Sequence, residues 1–249
     1  MVTGTGTGAG TAYPRLLPCG ESAVSVEFGD RIDAALNARV MALDDVLRAR
    51  ALPGIIETVP TYRALLVHID PLVVDYDALC ATLLSLARHP VPARRAQRRW
   101  RVPVVYGGAF GEDLDLVARH CGLSPEGLIA AHAAALYTVY MVGFLPGFSY
   151  LGGLDPRLAV PRRAEPRQRV PASSVSIGGA QTAIGSVEGP SGWHLIGRTP
   201  VRAFQRGRAP VFLFAPGDEI TFVPTPAEDW AALDAAAAAG APVAQCTTP

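Results

Sequence analysis

The chain has 249 residues, which is enough for one or two domains. Hydrophobic residues make up 49% of it, enough for a buried core, and the net charge of zero gives no reason to expect binding to nucleic acid or to an anionic membrane. No apolar run reaches the roughly 18 residues of a membrane helix. The four cysteines are far apart and form no Cys-x-x-Cys pair, so we expect neither a zinc site nor a thioredoxin-type redox motif.

All 22 basic residues are arginines. A P-loop needs a lysine to reach the terminal phosphates of a nucleotide. Schiff-base chemistry and biotin attachment also need a lysine amine. The chain is therefore not expected to bind ATP through a P-loop or to carry biotin.

The first part of the chain predicts an α+β domain after a short tail. Residues 1–11 are rich in Thr and Gly and have no apolar signal region, so we expect a disordered tail. Residues 12–92 alternate between strand and helix patterns, which predicts an α+β sandwich. The expected strands are 23–28, 55–59 and 64–69, and the expected helices, each with an apolar stripe, are 32–50 and 76–87.

A boundary and a second domain follow. Residues 93–99 lie in a stretch rich in Pro and Arg without periodicity, which predicts a linker. Residues 100–226 contain many short apolar runs separated by glycine turns, a pattern that favours a β-barrel. We expect strands at 100–106, 136–142, 193–199, 211–214 and 220–222, helices at 113–120 and 125–134, and a hairpin turn at Gly178 and Gly179. Residues 227–249 are rich in Ala and predict a frayed helix and tail.

Residues 140–200 hold aromatic side chains and glycines at a density found nowhere else in the chain. Flat rings and sharply bent backbone suit the wall of a ligand site, although the same composition also suits a tightly turned barrel wall without chemistry of its own. Both interpretations stay open. The candidate substrate- or partner-binding residues are Phe144, Pro146, Phe148, Tyr150, Gln181, Thr182, Trp193, Arg198 and Thr199.

Arg198 is the most informative of these candidates. A guanidinium beside a Gly-rich turn can hold a carboxylate or a phosphate through two hydrogen bonds. The alternative is an ion pair with an acid at the barrel rim. The segment 147–151 resembles a Gly-x-Ser-x-Gly nucleophile elbow but ends in Leu151, so we reject that motif.

Two segments, GFLPGF at 143–148 and LIGRTP at 195–200, form a combination that is highly specific for one protein family. With the stretch at 170–182 they resemble the 5-oxoprolinase B subunit family, also called allophanate hydrolase subunit 1 or the Kip-type kinase inhibitor family. The resemblance extends over nearly all of residues 13–226. It implies an α+β domain followed by a cyclophilin-like β-barrel, in a cytoplasmic protein.

The resemblance also implies a function in a complex. It implies one component of an assembly that uses ATP to hydrolyse 5-oxo-L-proline to L-glutamate and that is inactive as an isolated chain. The implied partners are a second cyclophilin-like subunit, of the 5-oxoprolinase C type, and an A-type subunit related to lactam-utilisation proteins. Two alternatives stay open: a binding module that inhibits a sensor histidine kinase, and a carboxyltransferase of the urea carboxylase and allophanate hydrolase type. No residue is assigned a catalytic role, and no metal site is expected.

Overall fold

The computed structural model describes residues 12–89 and 98–248. The predicted tail at 1–11 and linker residues 93–97 lie outside the described residues. The described residues form two compact units, one made of residues 12–31 and 35–89 and the other of residues 32–34 and 98–248. In the part of the chain so described, no helix has the length and apolarity needed to cross a membrane.

The first unit is a four-stranded antiparallel sheet with two helices. Its elements are β1 (Arg15–Pro18), β2 (Ala23–Glu27), α1 (Ala34–Arg50), β3 (Ile55–Pro60), β4 (Ala64–Ile69) and α2 (Tyr76–Arg88). The strand order is β1-β2-β4-β3. Apolar residues at every second position of the central strands and along one stripe of each helix share one core, to which Val26, Val67, Leu43 and Leu83 belong. The predicted α+β layer is confirmed.

The second unit is built around a closed barrel. Its strands are β5 (Arg99–Tyr106), β6 (Tyr137–Val142), β7 (Ser149–Gly152), β8 (Arg167–Val170), β9 (Ser174–Gly178), β10 (Gln181–Ile184), β11 (Gly189–Ser191), β12 (His194–Arg198), β13 (Glu219–Pro224) and β14 (Gln245–Thr247), and its α-helices are α3 (Leu114–His120), α4 (Pro125–Ala134) and α5 (Trp230–Ala238). Seven strands in the order β12-β9-β10-β7-β6-β13-β5 form a ring, because β5 also pairs with β12. The ring confirms the predicted barrel, and β8 and β11 form a separate two-stranded ribbon.

The structure differs from the sequence-based expectations at both ends of the barrel domain. Arg98 and Arg99, expected in the linker, contact the barrel: Arg98 bonds Asp218 at 2.9 and 2.6 Å, and Arg99 begins β5. Residues 227–249 contain a helix, α5, as expected, but the tail after it forms β14, which pairs with the first residues of β5. Residues 245–247 can join the sheet because the edge of β5 at residues 99–101 offers them backbone partners.

The expected strand at 211–214 is absent from the described structure, where only an isolated bridge joins Phe204 and Phe212. Two backbone bonds accompany this bridge, from the Gln205 N–H to the Val211 carbonyl at 3.1 Å and from the Leu213 N–H to the Ala203 carbonyl at 2.9 Å. The guanidinium of Arg208 donates to four carbonyls of the loop, those of Arg202, Ala203, Pro210 and Val211, at 2.8 to 3.4 Å. Short backbone pairing and an arginine side chain therefore hold this loop in place of a continuous strand.

A buried histidine joins α4 to the barrel interior. The imidazole of His132 is fully buried, with Nδ1 2.8 Å from the Tyr106 hydroxyl and Nε2 2.9 Å from Oγ1 of Thr182. The Thr182 hydroxyl donates its own proton to the Ser176 carbonyl at 2.9 Å, so Nε2 of His132 carries a proton and donates to Thr182, while Nδ1 accepts from Tyr106. Burial lowers the pKa of His132 to about 3. The ring is therefore neutral in the folded protein.

This burial makes stability depend on pH. Between about pH 6.5 and 3 the unfolded chain protonates His132 and the folded chain does not, so stability present above pH 6.5 is lost as the pH falls through this window. We expect the free energy of unfolding of the wild type to fall more steeply than that of His132→Phe, by about 1.4 kcal/mol per pH unit. Urea unfolding at pH 7, 6, 5 and 4 measures the difference.

A matched control replaces an exposed histidine of the same unit. His120 is exposed at the end of α3, and His120→Asn should keep the wild-type slope. Parallel curves for the wild type and His132→Phe would show that His132 is protonated in the folded protein as easily as in the unfolded chain.

Candidate functional site

Four aromatic side chains form one contiguous cluster on the barrel. Phe148 lies 5.8 Å from Phe144, 4.7 Å from Tyr150 and 6.4 Å from Trp193 between ring centroids, and Tyr150 lies 5.8 Å from Trp193. We call these four rings the aromatic cluster. Phe148 and Trp193 are buried, whereas 64% of Phe144 is exposed. The cluster therefore presents an apolar surface that is anchored from beneath.

The loop between β6 and β7 holds Phe144 in this exposed position. The Gly143 N–H donates to the Phe148 carbonyl at 3.0 Å, and the Phe148 N–H donates to the Leu145 carbonyl at 3.0 Å, which closes a tight turn around Pro146. Phe144 has a φ of 72°, a left-handed conformation that is strained for a bulky residue. Strained backbone of this kind is concentrated at functional sites, and here it projects a phenyl ring away from the barrel.

Trp193 is seated on a glycine of the barrel wall. A Cβ atom at Gly178 would lie 2.5 to 2.8 Å from three atoms of the indole ring, so only glycine leaves room for the ring. Gly178 ends β9 and pairs directly with Gln181 of β10, which places the turn at residues 179 and 180 rather than at Gly178 and Gly179. Gly179 has a φ of 64° and supplies the left-handed turn residue.

Gln181 adds a polar group beside the cluster. Directly paired residues of an antiparallel hairpin point to the same face of the sheet, so the side chain of Gln181 starts next to Gly178 and the indole above it. Its Nε2 atom is buried without a hydrogen-bond partner in the structure. A buried donor without an acceptor costs about 1–3 kcal/mol, which makes this amide a group that a ligand or a partner could satisfy.

An arginine that the sequence did not single out lies on the cluster. The guanidinium carbon of Arg162 is 5.6 Å from the centroid of Trp193, within the range of a cation–π contact, and the residue is exposed. Among the described residues no carboxylate pairs with it. Arg162 stands in the segment 157–169, which is rich in Pro and Arg. The composition of that segment contains no signal that would separate Arg162 from its neighbours.

Asp113 bonds residues that lie close in sequence to Arg162 and Trp193. Its buried carboxylate accepts two bonds from Arg167, at 2.7 and 2.9 Å, one from Arg163 at 3.3 Å and one from the Leu195 N–H at 2.8 Å. Burial by itself would raise the pKa of Asp113, but the hydrogen bonds from Arg167 and Leu195 and the nearby positive charges outweigh it, so the pKa is lowered. The carboxylate stays ionised and ties residues 163–167 to β12.

The structure does not bring every predicted site residue to the cluster. Thr182 points into the barrel and bonds His132. Arg198 donates to the Ala172 carbonyl at 3.1 and 3.2 Å, and its guanidinium carbon lies 4.8 Å from the Trp230 ring centroid. Thr199 is buried and bonds the Ser173 carbonyl through its own N–H at 2.9 Å. Arg198 and Thr199 therefore lie outside the aromatic cluster, and among the described residues no carboxylate forms an ion pair with Arg198.

Comparison with known proteins adds independent information. The sequence model of the carboxyltransferase domain, subdomain C and D, matches residues 14–214. The 5-oxoprolinase B subunit of Bacillus subtilis (strain 168) is 38% identical over 223 residues, which cover 85% of this chain and 92% of that protein. The chain belongs to the 5-oxoprolinase B subunit family. The B subunit of Escherichia coli O157:H7 is 39% identical over 206 residues and covers 82% of this chain and 93% of its own length.

The fold of this 5-oxoprolinase family member is also found in a larger enzyme. The crystal structure of the Kluyveromyces lactis urea carboxylase matches with a TM-score of 0.78 at 19% identity, covering 94% of this chain. The chain spans 24% of the length of that protein. The whole aromatic cluster, Arg162 and Asp113 fall within the residues that match the carboxyltransferase domain.

The packing of Trp193 against Gly178 can be tested by adding one methyl group at Gly178. Gly178→Ala should lower the free energy of unfolding by about 1–3 kcal/mol, because the new Cβ forces the indole out of its place. Urea unfolding measures the loss, and near-ultraviolet circular dichroism reports the changed ring environment. Gly185→Ala is the matched control, since its Cβ would meet only ordinary contacts at 3.4 Å or more. Equal stability of Gly178→Ala and the wild type would contradict the described packing.

Proposed function

We propose that the chain is the B subunit of a cytoplasmic, ATP-dependent 5-oxoprolinase complex and that the aromatic cluster is the part of it that meets the substrate or a partner protein. In this reaction water opens the lactam C–N bond of 5-oxo-L-proline to give L-glutamate, and ATP hydrolysis to ADP and phosphate drives the opening. The partners are a second cyclophilin-like subunit, of the C type, and an A-type subunit related to lactam-utilisation proteins. The single observation that carries the proposal is that relatives named as 5-oxoprolinase B subunits match along most of the chain.

The site supports a role that needs a partner. The sequence has no lysine for a P-loop, and the hydroxyl of Ser149 is buried and directed at the Gly147 carbonyl, 3.2 Å away, where it has no base to activate it. The aromatic cluster offers rings for apolar contact, and Arg162 adds an uncompensated positive charge. In our proposal a carboxylate, either that of 5-oxoproline or an acidic residue of the partner, pairs with Arg162 while the rings cover the apolar part.

The test is a coupled ADP-release assay on each isolated subunit and on the reconstituted mixture. We expect 5-oxoproline-dependent turnover in the mixture and none from this chain by itself. Phe144→Ala and Arg162→Gln, both at exposed positions, should lower kcat/KM of the mixture at least about tenfold, because each removes a contact made in the assembled site. The purified variants should melt at the wild-type temperature.

Two exposed residues of α3 provide matched controls. Leu116→Ala removes an exposed apolar side chain, and Arg119→Gln removes an exposed charge, both on a helix that contributes no ring to the cluster. Turnover by the isolated chain would disprove the role as one component of a complex. Equal losses of kcat/KM in the cluster variants and the α3 variants would disprove the role of the cluster, without contradicting the role of the chain in a complex.

A second candidate is favoured by the description of the matching domain, a carboxyltransferase. A chain with that function would act with a biotin-carrying partner, because this chain has no lysine to carry biotin itself. Adding a biotin-carrying partner to the same assay separates the two functions: ADP release that requires this partner, urea and bicarbonate, and not 5-oxoproline, would identify the carboxyltransferase.

A further inference from the structure

The barrel unit contains a cavity that lies outside the aromatic cluster. It has a volume of 540 Å³ and is enclosed by the loop at 200–213 on one side and residues 237–246 on the other. This volume is in the range of small-molecule sites. The second wall follows α5 and lies beyond residue 214, where the match to the carboxyltransferase domain ends.

The chemistry of the lining is that of a site for an anion with an apolar body. Apolar side chains such as Val201, Leu213 and Val243 form much of the wall, and the lining contains two arginines, Arg202 and Arg208, but no acidic residue. A mostly apolar wall with a few convergent polar groups is typical of ligand sites.

The two arginines differ in how their charges are balanced. Arg202 donates to the carboxylate of Asp234 at 2.6 Å, which neutralises it. Arg208 donates only to backbone carbonyls, and in the described part of the chain no carboxylate pairs with it. Its four bonds leave one N–H of the five free. The cavity therefore contains one positive charge without a counter-charge.

The surroundings of Arg208 also lower the pKa of its guanidinium, because burial penalises the charged form. An anion beside the guanidinium would reverse that penalty. The four carbonyl bonds hold the guanidinium in one orientation at the wall, so little rotamer entropy would be lost when a ligand binds.

We propose that this cavity binds a small organic carboxylate with an apolar body, whose carboxylate pairs with Arg208 and whose apolar part lies against Val201, Leu213 and Val243. This inference does not depend on the 5-oxoprolinase function. The cavity is lined by residues of the barrel unit alone, so the isolated chain is the appropriate material for the test.

The experiment compares 4-phenylbutyrate with its neutral counterpart 4-phenylbutan-1-ol, using saturation-transfer NMR to detect binding and calorimetric titration to measure Kd. The wild type should bind the carboxylate about tenfold more tightly than the alcohol, as one charge-assisted hydrogen bond allows. Arg208→Gln should bring the two affinities together. Arg206→Gln is the matched control, because Arg206 is exposed, lies two residues before Arg208 in the sequence and does not line the cavity.

A second variant keeps the test decisive if Arg208→Gln loses its loop structure. Ala241 is exposed and lines the cavity, so Ala241→Trp should fill the mouth without disturbing the core, and both ligands should lose at least about tenfold in affinity. The proposal is overturned if the wild type binds neither ligand at millimolar concentration, if it binds both equally, or if Ala241→Trp leaves the affinity for the carboxylate unchanged.

Discussion

The carboxylate of Asp113 joins three segments that are distant in the chain. Asp113 stands directly before α3. Its carboxylate accepts hydrogen bonds from Arg163, Arg167 and the Leu195 N–H of β12. The backbone N–H of Asp113 donates to the Leu195 carbonyl at 2.9 Å. Gly111 makes this approach possible, since a Cβ there would collide with the Ile196 carbonyl oxygen. Together with the pairing of β12 to β5 and β9, this ionised carboxylate holds the start of β12, directly after Trp193.

The inner face of the barrel wall packs in the core, and the outer face carries the aromatic cluster. Along β10, Thr182 and Ile184 point inward, where Thr182 joins the neutral His132 to the core, while Gln181 and Ala183 point outward. The outward face carries the aromatic cluster, with Ala183 packed beneath Phe148 and Trp193. The interior polar network fixes the wall, and the exterior carries the rings and Arg162, the surface that we propose for a ligand or a partner.

Much of the architecture can be predicted from the sequence because periodicity and glycine placement determine it locally. Alternation along 175–184 around a glycine turn predicts the β9–β10 hairpin, and the density of rings in 140–200 predicts residues that meet in the aromatic cluster. Which face of a strand points inward cannot be predicted there, because every residue of β9 and β10 is buried and the apolar alternation disappears. The sequence therefore groups Thr182 with Gln181, although they lie on opposite faces.

Long-range contacts account for the remaining differences. The sequence leaves open whether Arg198 binds a ligand anion or pairs with an acid at the barrel rim. In the structure Trp230, much later in the chain, provides its ring contact, a pairing that no local pattern contains. Arg162 cannot be distinguished by sequence from the similar arginines around it. Its neighbours bond the residues beside Trp193: the Arg163 N–H donates to the Gly192 carbonyl at 2.8 Å, and Nε2 of His194 lies 2.9 Å from the Pro161 carbonyl oxygen. Residues 245–247 lack a clear strand pattern and form β14 because an edge of β5 is available.

Amide hydrogen exchange of the chain alone and in the reconstituted complex tests whether the aromatic cluster is the surface through which this chain works in a complex. We expect slower exchange on assembly in peptides that cover residues 143–150, 161–163 and 193–195, with little change in α3. Protection confined to the four-stranded sheet of the first unit, with the aromatic cluster exchanging as fast as in the free chain, would contradict this expectation.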